Sequence, residues 1–285
     1  MADDTIPIKR PTVAIPDFVA RAASDASQKQ EVKYPSEVIP LPTKGWFYPE
    51  SHPLACGEIE IKQMSAREED ILANQDLIRR GKVLDKLMEA LIVNKAVKIE
   101  DILVPDKNAI FIGIRRLAYG EDYPITITCP SCNVVNKVKI NLSALNAKPF
   151  NFDEYTRGTN SFSFKMPSGT EITYKLLCQV DESEMESEIT QLKKQFKEFS
   201  SDLTTRLKYV ITSVNGNADR ATIRKFIDSP SFSARDSLAL RNYMRENNPD
   251  IDLSFDFKCT DCTLERRSDV PIGASFLWPD FDSRG

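Results

Sequence analysis

Cys129-Pro-Ser-Cys132 and Cys259-Thr-Asp-Cys262 are two places in the sequence where residue type and spacing point to a definite chemistry. In a C-x₂-C pair, two thiolates of one tight turn can reach the same metal ion. Taken together, Cys129, Cys132, Cys259 and Cys262 are the donor set of a closed tetrahedral site for a structural Zn²⁺, with Zn–S distances of about 2.3 Å. A closed set leaves no position for a reacting water, so it argues for scaffolding and against metal catalysis. The alternatives are four unrelated thiols or a redox C-x-x-C of the thioredoxin kind. Two pairs on matching sequence patterns favour zinc.

Those patterns are the elements that must position the sulfurs. Tyr123-Pro-Ile-Thr-Ile-Thr128 runs into the first pair, and Val134-Val-Asn-Lys-Val-Lys-Ile-Asn-Leu142 runs out of it. Ile251-Asp-Leu-Ser-Phe-Asp-Phe-Lys258 and Thr263-Leu-Glu-Arg-Arg-Ser-Asp-Val270 flank the second pair in the same way. Apolar and polar residues alternate on the approach to each pair, as in half-buried strands. The sequence therefore predicts two β-hairpins with zinc knuckles at their tips, 123–145 and 251–272, forming a zinc ribbon split by the insertion 146–250.

Composition narrows the function classes. The chain has 285 residues, 41% hydrophobic and 28% charged, with a net charge of −4 and a pI near 5.4. These are the proportions of a globular protein, and the acidic balance argues against nucleic acid as a partner. No apolar stretch reaches the roughly 18 residues of a membrane helix, and the acidic start shows no secretory pattern. Thiolates held ready for zinc suit a reducing cytoplasm. His52 is the sole histidine, which weighs against Ser/His and Cys/His nucleophilic mechanisms. Neither G-x-G-x-x-G nor a P-loop is present, so no small-molecule substrate is indicated. Cys56 and Cys178 read as small buried residues.

The rest of the chain reads as α+β. Residues 1–36 form an extended or disordered arm. Residues 37–122 form an N-terminal helical domain with a short strand at Gly57–Lys62. Its helices begin at the Ser65/Glu68 capping box, span about 82–94, and start again at Asp106, read as a cap, with Gly120 as the stop. Arg115 and Arg116 are expected on a solvated face. The insertion opens with a hairpin around Pro167-Ser-Gly-Thr170. Met185, Ile189, Leu192, Phe196, Phe199, Leu203, Leu207 and Val210 then predict one long amphipathic helix over about 182–214, closed by Asn215-Gly216. Helices over about 220–228 and from Ser233 to Asn247 follow. Residues 273–285 are an aromatic tail.

Two aromatic clusters are candidate partner-binding residues: Trp46, Phe47 and Tyr48 in a proline-rich stretch, and Phe276, Leu277, Trp278 and Phe281 in the tail. The alternative for each is that the rings pack into the chain's own core.

Leu41-Pro-Thr-Lys-Gly-Trp-Phe-Tyr-Pro49, Gly57-Glu-Ile-Glu-Ile-Lys-Gln-Met-Ser65 with Glu68-Glu69, Pro105-Asp106, Arg115-Arg-Leu-Ala-Tyr-Gly-Glu-Asp-Tyr123 and Cys129-Pro-Ser-Cys132 occur in that order. Over residues 38–145 the chain thus resembles the baseplate hub subunit and hub assembly proteins of T4-like contractile-tailed bacteriophages. The resemblance implies a structural or assembly protein without catalytic residues. It implies synthesis in the host cytoplasm, a place in the virion tail baseplate, and other baseplate or hub proteins as partners. The long insertion between the knuckles has no counterpart in that resemblance. The competing reading is a zinc-ribbon accessory factor that binds nucleic acid through Lys137, Lys139, Arg266 and Arg267.

Overall fold

A computed structural model of the chain describes residues 35–195 and 201–278. Residues 1–34 of the expected arm, and Phe196, Phe199 and Phe281, lie outside the described residues. Strand β1 (Ser36–Pro40) pairs antiparallel with β2 (Glu58–Lys62), Ile39 opposite Ile59. Helices α1 (Ala66–Leu72), α2 (Gln75–Arg79) and α3 (Val83–Leu91) follow. The expected capping box opens α1, with the Ser65 amide donating to Glu68 Oε2 at 2.9 Å. Helix α4 (Val104–Tyr119) is the core of this half. It is buried on nearly all sides from Ala109 to Ile114, as expected of a helix surrounded by other elements. Gly113 lets β1 come close, because a β-carbon there would sit 2.6 Å from the buried Ile39 side chain, which would have to shift.

Two expectations about α4 need correction. Its N-cap is Leu103, and Asp106 lies in its first turn with its carboxylate turned away to another loop. Arg115 is not solvated but 3% exposed. Its guanidinium lies over the rings of Tyr119 and Tyr123 and donates to the Phe276 carbonyl at 3.0 Å.

The first knuckle hairpin is β3 (Asp122–Thr128) and β4 (Val135–Asn141). The insertion contributes β5 (Phe162–Lys165) and β6 (Glu171–Tyr174), the hairpin predicted around Pro167–Thr170. The single helix expected over 182–214 is instead three elements. Helix α5 (Gln179–Gln195), helix α6 (Asp202–Val210) and strand β7 (Ile211–Val214) are distinct, and β7 joins β6 to complete a three-stranded sheet. Tyr209 donates to Glu188 at 3.0 Å. In one continuous helix those residues would be about 30 Å apart, so the chain folds back between α5 and α6. Helices α7 (Arg220–Ile227) and α8 (Ala234–Asn247) follow, the latter capped by Ser233 as predicted. The second knuckle hairpin is β8 (Ser254–Lys258) and β9 (Glu265–Asp269), and the short helix α9 (Ala274–Leu277) ends the described chain. The architecture is mixed α and β with small antiparallel sheets.

Buried side chains from the N-terminal half, the insertion and the tail form one continuous apolar cluster. Phe47 is central to it, 4.9 Å from the ring of Phe162 on β5 and 5.8 Å from Phe150. Phe47 and Tyr48 are each 3% exposed, and Trp46 is half-buried with its indole nitrogen donating to the Tyr155 carbonyl at 3.0 Å. Phe276 and Leu277 are fully enclosed, and Phe276 meets Tyr123 edge-on at 4.9 Å. Phe47, Tyr48, Phe276 and Leu277 are thus part of the chain's own core, and Trp46 lies at its edge. Trp278, also buried, lies with them.

Candidate metal centre

Each knuckle is a turn closed by its own backbone. The Cys129 amide donates to Val134 at 2.9 Å, and Asn133 donates back to Cys129 at 2.9 Å. Asn133 turns the corner at φ +59°, a left-handed conformation that asparagine tolerates better than most residues. Cys259 donates to Leu264 at 3.0 Å in the second knuckle. The hairpins bring Cys129 Sγ to 3.7 Å from Cys262 Sγ, and Cys132 Sγ to 3.6 Å from Cys259 Sγ. All four sulfurs lie within 4.8 Å of one another.

These distances test the donor set. The edge of a tetrahedron whose centre is about 2.3 Å from each sulfur is about 3.8 Å, and the two cross-knuckle contacts come within 0.2 Å of it. A disulfide would need roughly 2.05 Å, and all four thiols are free. The residues fit one thiophilic, tetrahedral ion. Cys129 and Cys259 are buried, whereas Cys132 and Cys262 are half-buried. Phe257, Ile127, Val138, Phe255 and Leu264 pack around them as a small cluster, which Val138 and Phe255 share with the edge of the main core.

Electrostatics point the same way. The Cys262 and Asp261 amides hold the Cys259 thiol down at about 6. Burial pushes Cys129 up, but the Cys132 and Ser131 amides outweigh it and the net direction is down. Cys132 is also drawn down by the Val134 amide, yet burial and the neighbouring sulfurs push it up to about 12. The shifts thus run in both directions within the cluster, down at Cys129 and Cys259 and up at Cys132. A divalent cation would bring positive charge to such a set of sulfurs.

Sequence reasoning missed Asn136. It lies on β4 in phase with Val138 and Ile140, so a carboxamide on the inward face was the available signal. It is 2% exposed and bonded to both knuckles. Two of the four cations offered for the nucleic-acid reading, Lys139 and Arg267, are paired with carboxylates. Lys139 pairs with Asp122 at 2.6 Å, and Arg267 pairs with Asp252 at 2.5 Å and also donates to Ser254. Cys56 is exposed rather than buried, its thiol donating to the carbonyls of Pro53 and Glu58. Cys178 is half-buried beside Asp181.

A second polar constellation sits at Asp106. Its Oδ2 accepts the hydroxyls of Thr43 and Tyr48, each at 2.7 Å, and its Oδ1 accepts the Thr43 amide at 3.1 Å. The Tyr48 oxygen in turn accepts the Leu103 amide at 2.9 Å. Burial raises the Asp106 carboxyl to about 6, against these hydrogen bonds. His52 stacks on Tyr48 at 4.7 Å, and its Nδ1 accepts the Leu54 amide at 3.2 Å. This arrangement ties the proline-rich loop to α4.

A surface groove of about 550 Å³ lies elsewhere, at α3 and the start of α5, lined by the ion pairs Lys82–Asp85 and Lys86–Glu89 among others. No helix among the described residues is long and apolar enough to cross a membrane.

Comparison with known proteins gives one family: residues 47–277 match the model described as T4 bacteriophage base plate protein. No curated protein and no solved structure matches the chain.

Proposed function

The chain belongs to the T4 bacteriophage base plate protein family, and from that premise we propose that it is a non-enzymatic structural or assembly protein of the hub region of a contractile tail baseplate. The observation that carries this reading is the family match, which spans both knuckles and most of the described core. A structural Zn²⁺ held by Cys129, Cys132, Cys259 and Cys262 would hold two hairpins together that are 127 to 133 residues apart in sequence. When bound, the ion supplies charge compensation and four bonds, and no reaction is routed through it. The chain's own part is to present four sulfurs at tetrahedral spacing, with amides already directed at Cys129 and Cys259.

The partners are other baseplate or hub proteins, met in the virion tail after synthesis in the host cytoplasm. Among the described candidate aromatic residues, Trp46 is half-buried where the others are buried, with the Arg157 guanidinium over its ring at 5.5 Å. It is the one that we assign to a neighbouring subunit.

The test has two parts. Phage grown without this chain should yield particles arrested before tail completion, and mass spectrometry should find the chain in tails or in baseplate intermediates. Normal infectious particles made in its absence would end the reading. Elemental analysis of protein purified without chelator should give one zinc per chain.

A further inference from the structure

We infer that Asn136 is a positioning residue of the metal centre, holding Cys259 in its ligand position from the opposite hairpin. The inference rests on the zinc reading above and deepens it.

The side chain of Asn136 uses its whole hydrogen-bonding capacity. Its Nδ2 donates to the Val134 carbonyl at 2.9 Å, within its own knuckle, and to Cys259 Sγ at 3.7 Å, in the other. Its Oδ1 accepts the Thr260 amide at 2.8 Å and the Thr260 hydroxyl at 2.9 Å. Two donors and two acceptor positions are all that a carboxamide has. The reverse orientation would set the NH₂ group against two donors, so the surroundings fix the side chain. Among the described residues, Asn136 thus bonds both a ligand sulfur and the residue that follows that ligand. Its own β4 position is three residues beyond the first knuckle's turn.

The chemistry of that contact is specific. An N–H aimed at a thiolate lowers the electron density that the sulfur must place on the cation, and it fixes which lone pair faces the centre. Aspartate at 136 could still accept from Thr260, but it would set an acceptor against the Val134 carbonyl and a negative charge beside Cys259. Alanine would leave the Thr260 amide without its buried partner, while the Val134 carbonyl would keep only the Cys129 amide.

The experiment uses the full chain and Zn²⁺ or Co²⁺ alone, in competition with a chromophoric chelator. Asn136→Ala should weaken zinc about 10- to 100-fold, the range seen when groups that orient metal ligands are lost. Cobalt-loaded N136A should retain thiolate charge-transfer bands of altered intensity. In the zinc-loaded variant, alkylation followed by mass spectrometry should shift toward Cys259, relative to Cys129, because Cys259 has lost its clamp. A residue that merely packs would lower stability without this sulfur-specific shift. If N136A does not fold, Thr260→Val, which removes only the hydroxyl bond, should show the same Cys259 bias with a few-fold loss of affinity. Wild-type protein that binds neither metal would overturn the zinc reading, and this inference with it. Wild-type protein that binds zinc, with affinity and alkylation pattern unchanged in the variants, would overturn the role of Asn136 alone.

Discussion

The chain ties distant segments together at two places, and it does so by different means. At Asp106, a buried carboxylate joins the 43–48 loop to the first turn of α4 through three hydrogen bonds. Around it lies the large apolar cluster of α4, the β1–β2 pair and the aromatic side chains of the insertion. At the knuckles, two two-stranded hairpins meet over Phe257 and a few half-buried neighbours. An isolated two-stranded hairpin is marginal in water, and so small a core contributes little burial. Where apolar burial is plentiful, a polar knot fixes register; where it is scarce, four sulfurs within 4.8 Å of one another take its place.

The sharpest way to break this comparison is to remove the metal donors. The double change Cys259→Ser and Cys262→Ser, or a strong chelator, should abolish metal binding, worth roughly 10–16 kcal/mol in small zinc modules. The tips of the hairpins should lose hydrogen-exchange protection, while α3 and α4 keep theirs because their buried residues belong to the main cluster and not to that of the knuckles. Loss of protection throughout would show that the two ties are one cooperative unit.

Asp106→Ala makes the converse cut. It strands the Thr43 and Tyr48 hydroxyls in the interior and should cost about 3 kcal/mol in urea denaturation. Its metal content should equal that of the wild type.

A smaller effect follows from pH. Burial raises the Asp106 carboxyl to about 6 in the folded state, above the usual aspartate value of about 3.9. The folded form therefore holds that proton more tightly than the unfolded chain. The stabilisation from this group is fully present below about pH 4 and is lost as pH rises through 6. The pH dependence of unfolding between 4 and 6, compared with that of Asp106→Asn, should show this contribution in the wild type and not in the variant.

The smallest expected effect lies away from both ties. Arg224 grips Glu188 with two bonds of 2.9 and 2.8 Å, joining α7 to α5. Both side chains are partly solvated, so Arg224→Met should cost only about 1 kcal/mol and leave both ties intact. Thermal denaturation measures it.

What was legible in the sequence follows from how local each signal is. Both knuckles, their hairpins and the capping box at Ser65 depend on spacings of a few residues, and they were read directly. The fold-back between α5 and α6 was not legible. Two helices packed face to face carry the same three-and-four apolar spacing as one long helix, and Leu203, Leu207 and Val210 continue the phase of Ile189 and Leu192. Strand β7 is four residues, too short to announce its period. Asp106 is an acidic residue in a first turn, which suits a cap or a buried anchor equally, and only Thr43 and Tyr48, about sixty residues earlier, decide between them. Asn136 was visible as a polar residue on an apolar face, but its partner Thr260 lies 124 positions away.

The position of the cysteines at the two mouths of residues 133–258 also has a mechanical meaning. With the four sulfurs bridged, tension applied between the two ends of the described chain passes from Cys132 to Cys259 across the clasp, and the intervening segment carries none of it. That segment would span roughly 400 Å if drawn out. In a subunit built this way that stretch cannot be drawn out until the clasp opens, and then yields its hidden length.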